Sequence, residues 1–418
     1  MCQERECFKI KRYCKDFVMT PKFIEDCIYK FMNNSNSMRW NRTDVAYLFA
    51  AFYFKKNKAT YREMKYVKRL MKTNREKITR LFPLISNSFY QEIINRNIKL
   101  EPIIYQERFD RTSNKLRKIG ISSIKQQIYD YIAVGACKEM FDAKIGQFQC
   151  ASIEGRGCVY GLNALEKWIK KNPSKCKWIF KCDIKKYYPN INHEVLIDFL
   201  KRDIKNDTLI YVLVTLIKSY GLIGLCIGSY LSQYLANYLM SYAYHFVYEF
   251  CYRFRKNRKT GKLTRVNLIN KAIFYMDDIT MTGSNRKDVL KAADMLEKYL
   301  NDVLRLDLKS NKRIFNLNDN FIDMMGFKIY KDHTTIRKKN FKNYRKLWIK
   351  YKDPNIEMSI SDARTICSNF GNVKHTDSYK LVKKYKIDRT LKRAKKVVSD
   401  YDKRVHRKTA RLQVHAVT

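Results

Sequence analysis

The sequence predicts a mixed α+β protein built from two or three subdomains. The chain has 418 residues, which is more than one hydrophobic core usually holds. Residues 1–100 repeat apolar positions at helical spacing, whereas residues 101–330 alternate short strand-like apolar runs with amphipathic segments. These two patterns indicate a helical region followed by a region of mixed helices and strands.

The helical pattern is clearest in residues 44–54 and 64–81, with basic residues between the apolar positions. From about residue 331 the chain is again mainly helical in pattern and strongly basic. Residues 331–418 contain 25 Lys and Arg against 8 Asp and Glu. We therefore expect a helical amino-terminal region, a mixed centre and a basic helical tail.

Charge is the strongest compositional signal. The 85 Lys and Arg against 40 Asp and Glu give a net charge of +45 that is spread along the chain. Such a surface repels itself unless a polyanion screens it, so nucleic acid is the favoured partner. A ribosomal-type binding protein and a binder of anionic membranes are the alternatives that composition leaves open.

The cysteines and the apolar runs indicate where the protein works. Its 12 cysteines are scattered, without a CxxC pair or a Cys/His cluster at zinc spacing, so free thiols in a reducing compartment are expected. The amino terminus is charged, and the longest apolar run, near residues 209–217, is too short to span a bilayer. We expect a cytoplasmic protein without a membrane segment.

Two predicted strands in the centre carry acidic residues at their ends. KWIFKCDI ends near Asp183, and AIFYMDDITMTG has Asp277 and Asp278 at its turn. A lone pair of aspartates is usually a solvated turn, but adjacent carboxylates at an apolar turn repel each other unless a cation binds. Carboxylates from separate strands are what two Mg²⁺ ions require for nucleotide addition to a 3′-hydroxyl.

Two other features surround these strands. Residues 232–250 predict a long helix whose stripe of Tyr234, Tyr238, Tyr242 and Phe246 is expected to pack in the core. A basic insertion, residues 251–266, contains the turn KTGK and predicts a protruding hairpin.

Seven segments resemble, in order, the motifs of reverse transcriptases. YMDD (Tyr275–Asp278) is similar to the family's Tyr-x-Asp-Asp signature, and DIKKYYPNI (Asp183–Ile191) to its first catalytic motif. The remaining matches are RKIGISSIKQQI (Arg117–Ile128), GRGCVYGLNAL (Gly155–Leu165), IGSYLSQYLAN (Ile227–Asn237), LRLDLKSNK ending at Lys312, and MMGFKIY (Met324–Tyr330).

The resemblance implies a right-hand polymerase with fingers, an antiparallel palm with helices, and a helical thumb. We expect a basic helical extension in residues 1–100, fingers with the start of the palm in 101–182, the palm with its basic insertion in 183–330, and the thumb region in 331–418. The implied activity is RNA-directed DNA synthesis from dNTPs on an RNA template with a DNA primer.

The resemblance also implies residue roles. Asp183, Asp277 and Asp278 are expected to be catalytic and to hold two Mg²⁺ ions, with Mn²⁺ as an alternative and the Ile184 carbonyl as an additional ligand. Tyr188 matches the aromatic steric gate that excludes a ribose 2′-hydroxyl, with Tyr187 as its core-facing neighbour. The remaining expected contacts are Lys115, Arg117, Ile227, Gly228, Ser232, Gln233 and Lys312 for the nucleotide, and Met325, Gly326 and Phe327 for the primer grip.

The nucleotide motif separates subgroups of the family. Its Ile-Gly-x-x-x-Ser-Gln form resembles the enzymes of diversity-generating retroelements, in which the apolar residue accompanies error-prone copying. Such an enzyme would work with a structured RNA and a small basic accessory protein. Two alternatives remain: a reverse transcriptase of anti-phage defence that uses a non-coding RNA and other defence proteins, and a non-catalytic RNA-binding scaffold.

Overall fold

The computed structural model describes residues 13–34, 38–110 and 115–414, so most of the charged amino terminus discussed above lies outside the described residues. The helices are α1 (Pro21–Asn33), α2 (Thr43–Tyr53), α3 (Tyr61–Thr73), α4 (Arg75–Thr79), α5 (Phe82–Ile94), α6 (Ile124–Ala136), α7 (Lys138–Lys144), α8 (Cys158–Lys171), α9 (Tyr187–Asn190), α10 (His193–Asp203), α11 (Asp207–Lys218), α12 (Tyr230–Glu249), α13 (Arg286–Asp302), α14 (Lys338–Lys350), α15 (Ile360–Val373), α16 (Tyr379–Lys384) and α17 (Ile387–Val414). The strands are β1 (Ile104–Asp110), β2 (Lys115–Ile121), β3 (Trp178–Asp183), β4 (Tyr252–Lys256), β5 (Leu263–Asn267), β6 (Lys271–Tyr275), β7 (Asp278–Gly283), β8 (Arg313–Asn316), β9 (Ile322–Met324), β10 (Phe327–Ile329) and β11 (Thr334–Ile336).

The amino-terminal region consists of the five helices α1–α5. Thr60 and Glu63 form a reciprocal capping box that starts α3, which satisfies backbone donors that the helix leaves unpaired. The stretch predicted as one helix over residues 64–81 is divided at Asn74. Asn74 is the C-cap of α3. Its side-chain oxygen accepts a hydrogen bond from the Lys77 N–H at 3.1 Å, so the same residue also caps the start of α4. An asparagine that caps a new helix competes with continuation of the old one.

The centre of the molecule is a four-stranded sheet in the order β6-β7-β3-β8 with antiparallel pairing. Phe180 on β3 lies in the core formed with α13, whereas Ile179 lies in a second core with Met324 and Phe327 of β9 and β10. Because successive side chains of a strand point to opposite faces, Lys181 and Asp183 share the Ile179 face. The sheet therefore has an α13 face and an Asp183 face.

The aromatic stripe of α12 packs in the core, as predicted. Tyr238 and Tyr242 are buried, and Tyr234 and Phe246 are partly buried against the same cluster. The rings contribute apolar area and edge-to-face contacts, and each hydroxyl needs a partner when it is buried.

That partner is Asp203, a fully buried carboxylate at the end of α10. It accepts hydrogen bonds from the hydroxyls of Tyr238, at 2.9 Å, and Tyr242. The Lys144 ammonium nitrogen lies 2.9 Å from the same carboxylate. The Asp203 carbonyl accepts from the Tyr13 N–H at 2.7 Å, so the network also joins the amino-terminal segment to the centre.

The remaining strands form separate small sheets. β1 and β2 form a hairpin, β4 and β5 form a second hairpin, and β9, β10 and β11 form a three-stranded sheet. The second hairpin, residues 252–267, is called the basic hairpin below, and it matches the predicted protrusion. The tail after β11 is helical, and α15 packs along α17.

Ten cysteines fall within the described ranges, and all ten are free thiols. Each helix in the part of the chain that the structure describes is too short or too polar to traverse a bilayer.

Replacing Asp203 with Ala should lower the free energy of unfolding by roughly 3–5 kcal/mol, because it leaves the half-buried Lys144 ammonium group without its counter-charge and removes the acceptor of two buried tyrosine hydroxyls. Asp198 provides the control, since it lies on the same helix and is exposed; Asp198→Ala should stay within about 0.5 kcal/mol of the parent. Urea unfolding followed by circular dichroism measures both. Equal stabilities of the two variants would contradict the assigned role of the network.

Candidate active site

Strand pairing brings the backbones of the three aspartates to one edge of the sheet. Asp183 lies opposite Asp278 in the β3–β7 register. The Ile184 N–H donates to the Asp277 carbonyl at 2.9 Å. The aspartates are separated by about 95 positions in the sequence, but the antiparallel ladder makes them neighbours.

The turn that carries Asp277 is tight and strained. Tyr275 pairs with Asp278, so β6 and β7 are joined by only Met276 and Asp277. Met276 has φ +55°, a conformation that costs a non-glycine residue free energy and is common at functional sites. Two-residue hairpin loops use a positive φ at their first position because it suits the twist of the strands. The strand pairing therefore fixes the position of the Asp277 backbone.

Lysine side chains lie against two of the carboxylates. Lys181 on β3 forms an ion pair with Asp278, and the Lys309 nitrogen lies 3.6 Å from an Asp183 oxygen. In the described part of the chain, no three His, Cys, Asp or Glu side chains converge closely enough to hold one ion together. The structure therefore brings together the backbones of Asp183, Asp277 and Asp278, while their carboxylates face different partners.

The electrostatics of this edge suit a divalent cation. Burial raises the pKa of Asp277, and the neighbouring Asp183 carboxylate raises it further, whereas Lys309 and Arg117 oppose this shift. Burial also lowers the pKa of Lys181 to about 8. Buried carboxylates that repel each other and already attract ammonium groups are a suitable oxygen donor set for Mg²⁺.

Lys312, the expected nucleotide contact, and Lys309, which the sequence analysis did not single out, lie on different sides of the sheet. Lys312 forms an ion pair with Glu297 of α13, on the side of the sheet opposite Asp183. Lys309 reaches Asp183 because the segment around Leu308 bridges to Ile184, and the Lys309 N–H donates to the Asp183 carbonyl at 2.8 Å. This added pairing beside β3 has no signal in the sequence.

The β1–β2 hairpin carries the predicted triphosphate cations. Arg117 is exposed and lies opposite Arg108 in the hairpin register. The Arg117 charge contributes to lowering the pKa of Asp277, so the two side chains interact electrostatically. Lys115 is the first residue of β2; its side chain lies outside the described parts. Two arginines face each other here, and an anionic ligand would stabilise this pair.

The Ile227–Gly228 loop is held against β2 by backbone contact. The Gly120 N–H donates to the Ile227 carbonyl at 2.8 Å. Gly228 has φ +117°, and a Cβ there would lie 2.7 Å from the Gly120 carbonyl oxygen. Only glycine permits both the conformation and this approach. Ile227 itself is half-buried and Gly228 is exposed, so the loop presents mainly backbone.

A carboxylate that the sequence analysis missed supports this loop. Asp130 on α6 is fully buried and accepts from the Ser229 hydroxyl at 2.7 Å and the Tyr230 N–H at 3.2 Å, at the start of α12. Burial raises the pKa of Asp130 to about 7. An acidic residue within the apolar run IYDYIAV was the available signal, since buried acids usually have a specific partner.

The other predicted nucleotide contacts lie deeper in α12. Ser232 is fully buried, and Gln233 is half-buried with its carbonyl accepting from the Asn237 side chain at 3.0 Å. Ser232 therefore lies beneath the surface of the loop, whereas the Gln233 side chain is partly open.

Tyr187 and Tyr188 have different surroundings. Tyr187 is buried, and its hydroxyl donates to the Ala236 carbonyl at 2.6 Å. Tyr188 is half-buried, with its hydroxyl 4.0 Å from the Met276 sulfur of the β6–β7 turn. Burial and the Asp277 carboxylate both raise the pKa of Tyr188, so its ring lies beside Asp277 in neutral form.

The predicted primer-grip segment is a hairpin with a two-residue turn. Met325 and Gly326 have φ +55° and +92° and join β9 to β10. Phe327 is buried, and the Met325 sulfur packs so closely on Gly161 of α8 that a Cβ there would lie only 2.6 Å from it. The hairpin lies on the Asp183 face of the sheet, through the contact of Met324 with Thr280 at 3.4 Å.

Comparison with known proteins identifies the family. The family described as "Reverse transcriptase (RNA-dependent DNA polymerase)" matches residues 108–329, slightly more than half of the chain. The chain belongs to the reverse transcriptase family. The match runs from the end of β1 through β2, the four-stranded sheet and the β9–β10 hairpin. This member of the family is accordingly an RNA-directed DNA polymerase with a right-hand polymerase fold.

Among curated proteins, none matches this chain. Distant likenesses occur among solved structures. Apo telomerase of Candida tropicalis without its carboxy-terminal domain is 12% identical, with 80% of this chain and 85% of that chain covered at a TM-score of 0.40. The RNA-dependent RNA polymerase of a human picobirnavirus, as an insertion-loop deletion mutant, is 12% identical, with coverages of 76% and 62% at a TM-score of 0.45.

Lys309→Ala should reduce the rate of primer extension by about tenfold or more, because it removes the cation next to Asp183 and leaves the carboxylates more strongly repelling. Lys312→Ala is the matched control and should change the rate less than about twofold. Single-turnover extension of a primer on an RNA template compares them. A larger loss in the Lys312 variant would contradict the assignment.

Proposed function

We propose that this reverse transcriptase synthesises DNA by two-metal-ion nucleotidyl transfer at the edge where Asp183 and Asp277 meet. The observation that carries the proposal is the β3–β7 register, which makes residues 95 positions apart adjacent. Arg117 also supports the proposal, because its positive charge acts to lower the pKa of Asp277.

In this proposal Asp183 and Asp277 are the main ligands of two Mg²⁺ ions, with Mn²⁺ as an alternative, and the Ile184 carbonyl supplies a further oxygen. Asp278 has a lesser part, because its carboxylate pairs with Lys181. Bound ions of this kind would lower the pKa of the primer 3′-hydroxyl and neutralise the leaving pyrophosphate.

The chain's own groups bind and orient the substrates. Arg117 and Lys115 would bind the triphosphate, and the backbone of Ile227 and Gly228 would bound the base and sugar. Lys309 would supply a cation at the carboxylates, whereas Lys312, which the resemblance implies as a nucleotide contact, forms its ion pair with Glu297. The Met325–Gly326 turn would support the primer end, because it lies on the same face of the sheet as Asp183.

We assign the regions accordingly: a basic helical extension in residues 1–100, fingers with the start of the palm in 101–182, palm in 183–330 and thumb in 331–418. Nucleic acid would lie between the fingers and the thumb. The template is RNA, as in the rest of the family, and a structured or non-coding RNA is the proposed source.

The proposed subgroup is the error-prone enzyme of a diversity-generating retroelement, with a small basic accessory protein as partner. Ile227 is the reason, because an aliphatic side chain offers no hydrogen bond to steady the incoming nucleotide and so weakens discrimination. Anti-phage defence is the second candidate. The observation that favours it is the added five-helix region, which the Tyr13 N–H joins to the Asp203 carbonyl.

Asp277→Ala should abolish primer extension while RNA affinity changes less than about threefold, because the substitution removes a metal ligand and leaves the basic surfaces intact. Extension and RNA binding are measured on the same preparation. DNA synthesis by this variant would refute the metal assignment. If the parent enzyme itself did not extend the primer, a non-catalytic scaffold would be favoured.

Tyr188→Val should admit ribonucleotides, lowering the preference for dNTPs over NTPs by about 100-fold, since the ring that excludes the 2′-hydroxyl is lost. Tyr187→Phe is the control, because the Tyr187 ring is buried and its hydroxyl donates to the Ala236 carbonyl. Competition between dNTP and NTP incorporation gives the ratio. An unchanged ratio in the Val variant would remove Tyr188 as the gate.

Ile227→Gln should reduce misincorporation opposite template adenine by roughly tenfold, because an amide restores a hydrogen-bonding group at the nucleotide. Sequencing of the cDNA made from a defined RNA measures the error spectrum. The same spectrum in parent and variant would remove the basis for the subgroup.

A further inference from the structure

The basic hairpin, residues 252–267, is a second concentration of positive charge outside the carboxylate edge. Its 16 residues contain seven Lys and Arg and no acidic residue. Within the described part of the chain, no acidic side chain pairs with the five that lie nearer its tip, which are Arg255, Lys256, Arg258, Lys259 and Lys262. Such an uncompensated cluster attracts a polyanion strongly.

One face of the basic hairpin combines rings with cations. The register places Tyr252, Phe254, Lys256, Leu263 and Arg265 on one face, because pairs opposite each other share a side. Phe254 is 61% exposed and Leu263 is 62% exposed. The Arg265 guanidinium lies 4.1 Å from the Tyr252 ring centre, and the Tyr252 and Phe254 rings are 5.5 Å apart. Open rings next to arginines are the surface on which unpaired bases stack.

The base of the basic hairpin is fixed to the centre of the molecule. Arg253 makes two hydrogen bonds, of 2.9 and 3.2 Å, to the Asp288 carboxylate of α13. Arg265 donates to the Glu249 carbonyl at 2.6 Å, and the Leu268 N–H donates to the Cys251 carbonyl at 2.9 Å. These contacts orient the exposed face before any ligand binds, which lowers the entropic cost of binding.

The basic hairpin and the Met276 turn are separate elements. The basic hairpin follows the carboxy-terminal end of α12, whose amino-terminal end adjoins Gly228, and a helix of 20 residues is about 30 Å long. It also precedes β6, whose five residues separate its base from the Met276 turn by roughly 14 Å. The Phe254 face therefore lies outside the carboxylate site and at the opposite end of α12 from the Gly228 loop.

We propose that the Phe254 face of the basic hairpin binds a single-stranded or looped segment of an RNA outside the catalytic cleft. This inference rests on the proposed function, because it adds a second contact to the RNA that the polymerase copies. An acidic protein fits less well, since two separated apolar side chains fall short of the packed apolar centre of a protein interface. An RNA loop uses phosphates and bases at once, which matches the mixture of cations and rings.

The test compares two variants with the same change of charge. Lys256→Glu with Lys262→Glu alters the basic hairpin, since Lys256 lies on the Phe254 face; Lys291→Glu with Lys298→Glu alters two exposed lysines of α13. The probe is a labelled stem–loop RNA with a single-stranded tail, bound over a range of salt concentrations. The hairpin variant should bind at least tenfold more weakly, and its log–log salt slope should fall by about two. The α13 variant should change affinity less than about threefold.

Phe254→Ala separates stacking from charge. It should weaken binding of the stem–loop roughly tenfold with an unchanged salt slope, and leave binding of fully paired DNA of the same length unaltered. Equal RNA affinities of the hairpin and α13 variants would overturn the inference. The inference would also be overturned if the hairpin variant kept its RNA affinity but no longer bound an acidic protein or anionic vesicles. Circular dichroism verifies that each variant is folded.

Extension of a short pre-annealed DNA primer on an RNA template distinguishes this inference from the proposed function. The hairpin variant should extend it at the parent rate, because the short duplex does not reach the basic hairpin. Loss of this extension in the hairpin variant alone would overturn the second-site inference. Inactivity of the parent enzyme would instead count against the proposed function, while the RNA-binding comparison would still stand.

Discussion

Repulsion between carboxylates at the end of the central sheet is the constraint on which the site depends. The β3–β7 ladder places Asp183 opposite Asp278, and the turn adds Asp277. The strand hydrogen bonds hold the three aspartates in this arrangement, and lysines compensate their negative charge. Lys181 and Lys309 each lie against one carboxylate. This charge arrangement matches the divalent cations and the triphosphate that the proposed function requires.

The same edge needs an opposing surface, which the β1–β2 hairpin provides. Gly120 and Gly228 permit backbone contact between this hairpin and the loop before α12. Asp130 holds the other end of that loop through Ser229. A substrate bound between them would therefore meet a loop whose position is fixed by backbone hydrogen bonds and a buried carboxylate, not by mobile side chains.

Buried charge also joins the regions of the molecule to one another. Asp203 links α10, α12 and α7 through two tyrosine hydroxyls and Lys144, and its carbonyl accepts from Tyr13. Such a network stabilises only when every member is paired. It gives a physical reason for an amino-terminal region that carries no catalytic group of its own to stay attached to the polymerase core.

Local sequence patterns predicted several elements and the acidic turn between β6 and β7. Short apolar runs predicted β3 and the strands beside that turn, and the helical stripe of α12 predicted its buried face, because apolar runs and helical spacing report on which residues are buried. The family motifs then identified the polymerase, whose fold the match to residues 108–329 shows. Asn74 shows the limit of periodicity, since a single capping side chain divides one apolar pattern into two helices.

The sequence pattern did not show which side chains meet. Lys309 lies beside Asp183 through a bridge between Leu308 and Ile184, Ser232 is buried, and Asp130 supports the Ile227–Gly228 loop through Ser229. Each of these depends on contacts between residues far apart in the chain, whose pairing is set by the packing of whole elements. A sequence pattern shows which residues are charged, whereas the packing of the elements determines which residues they pair with.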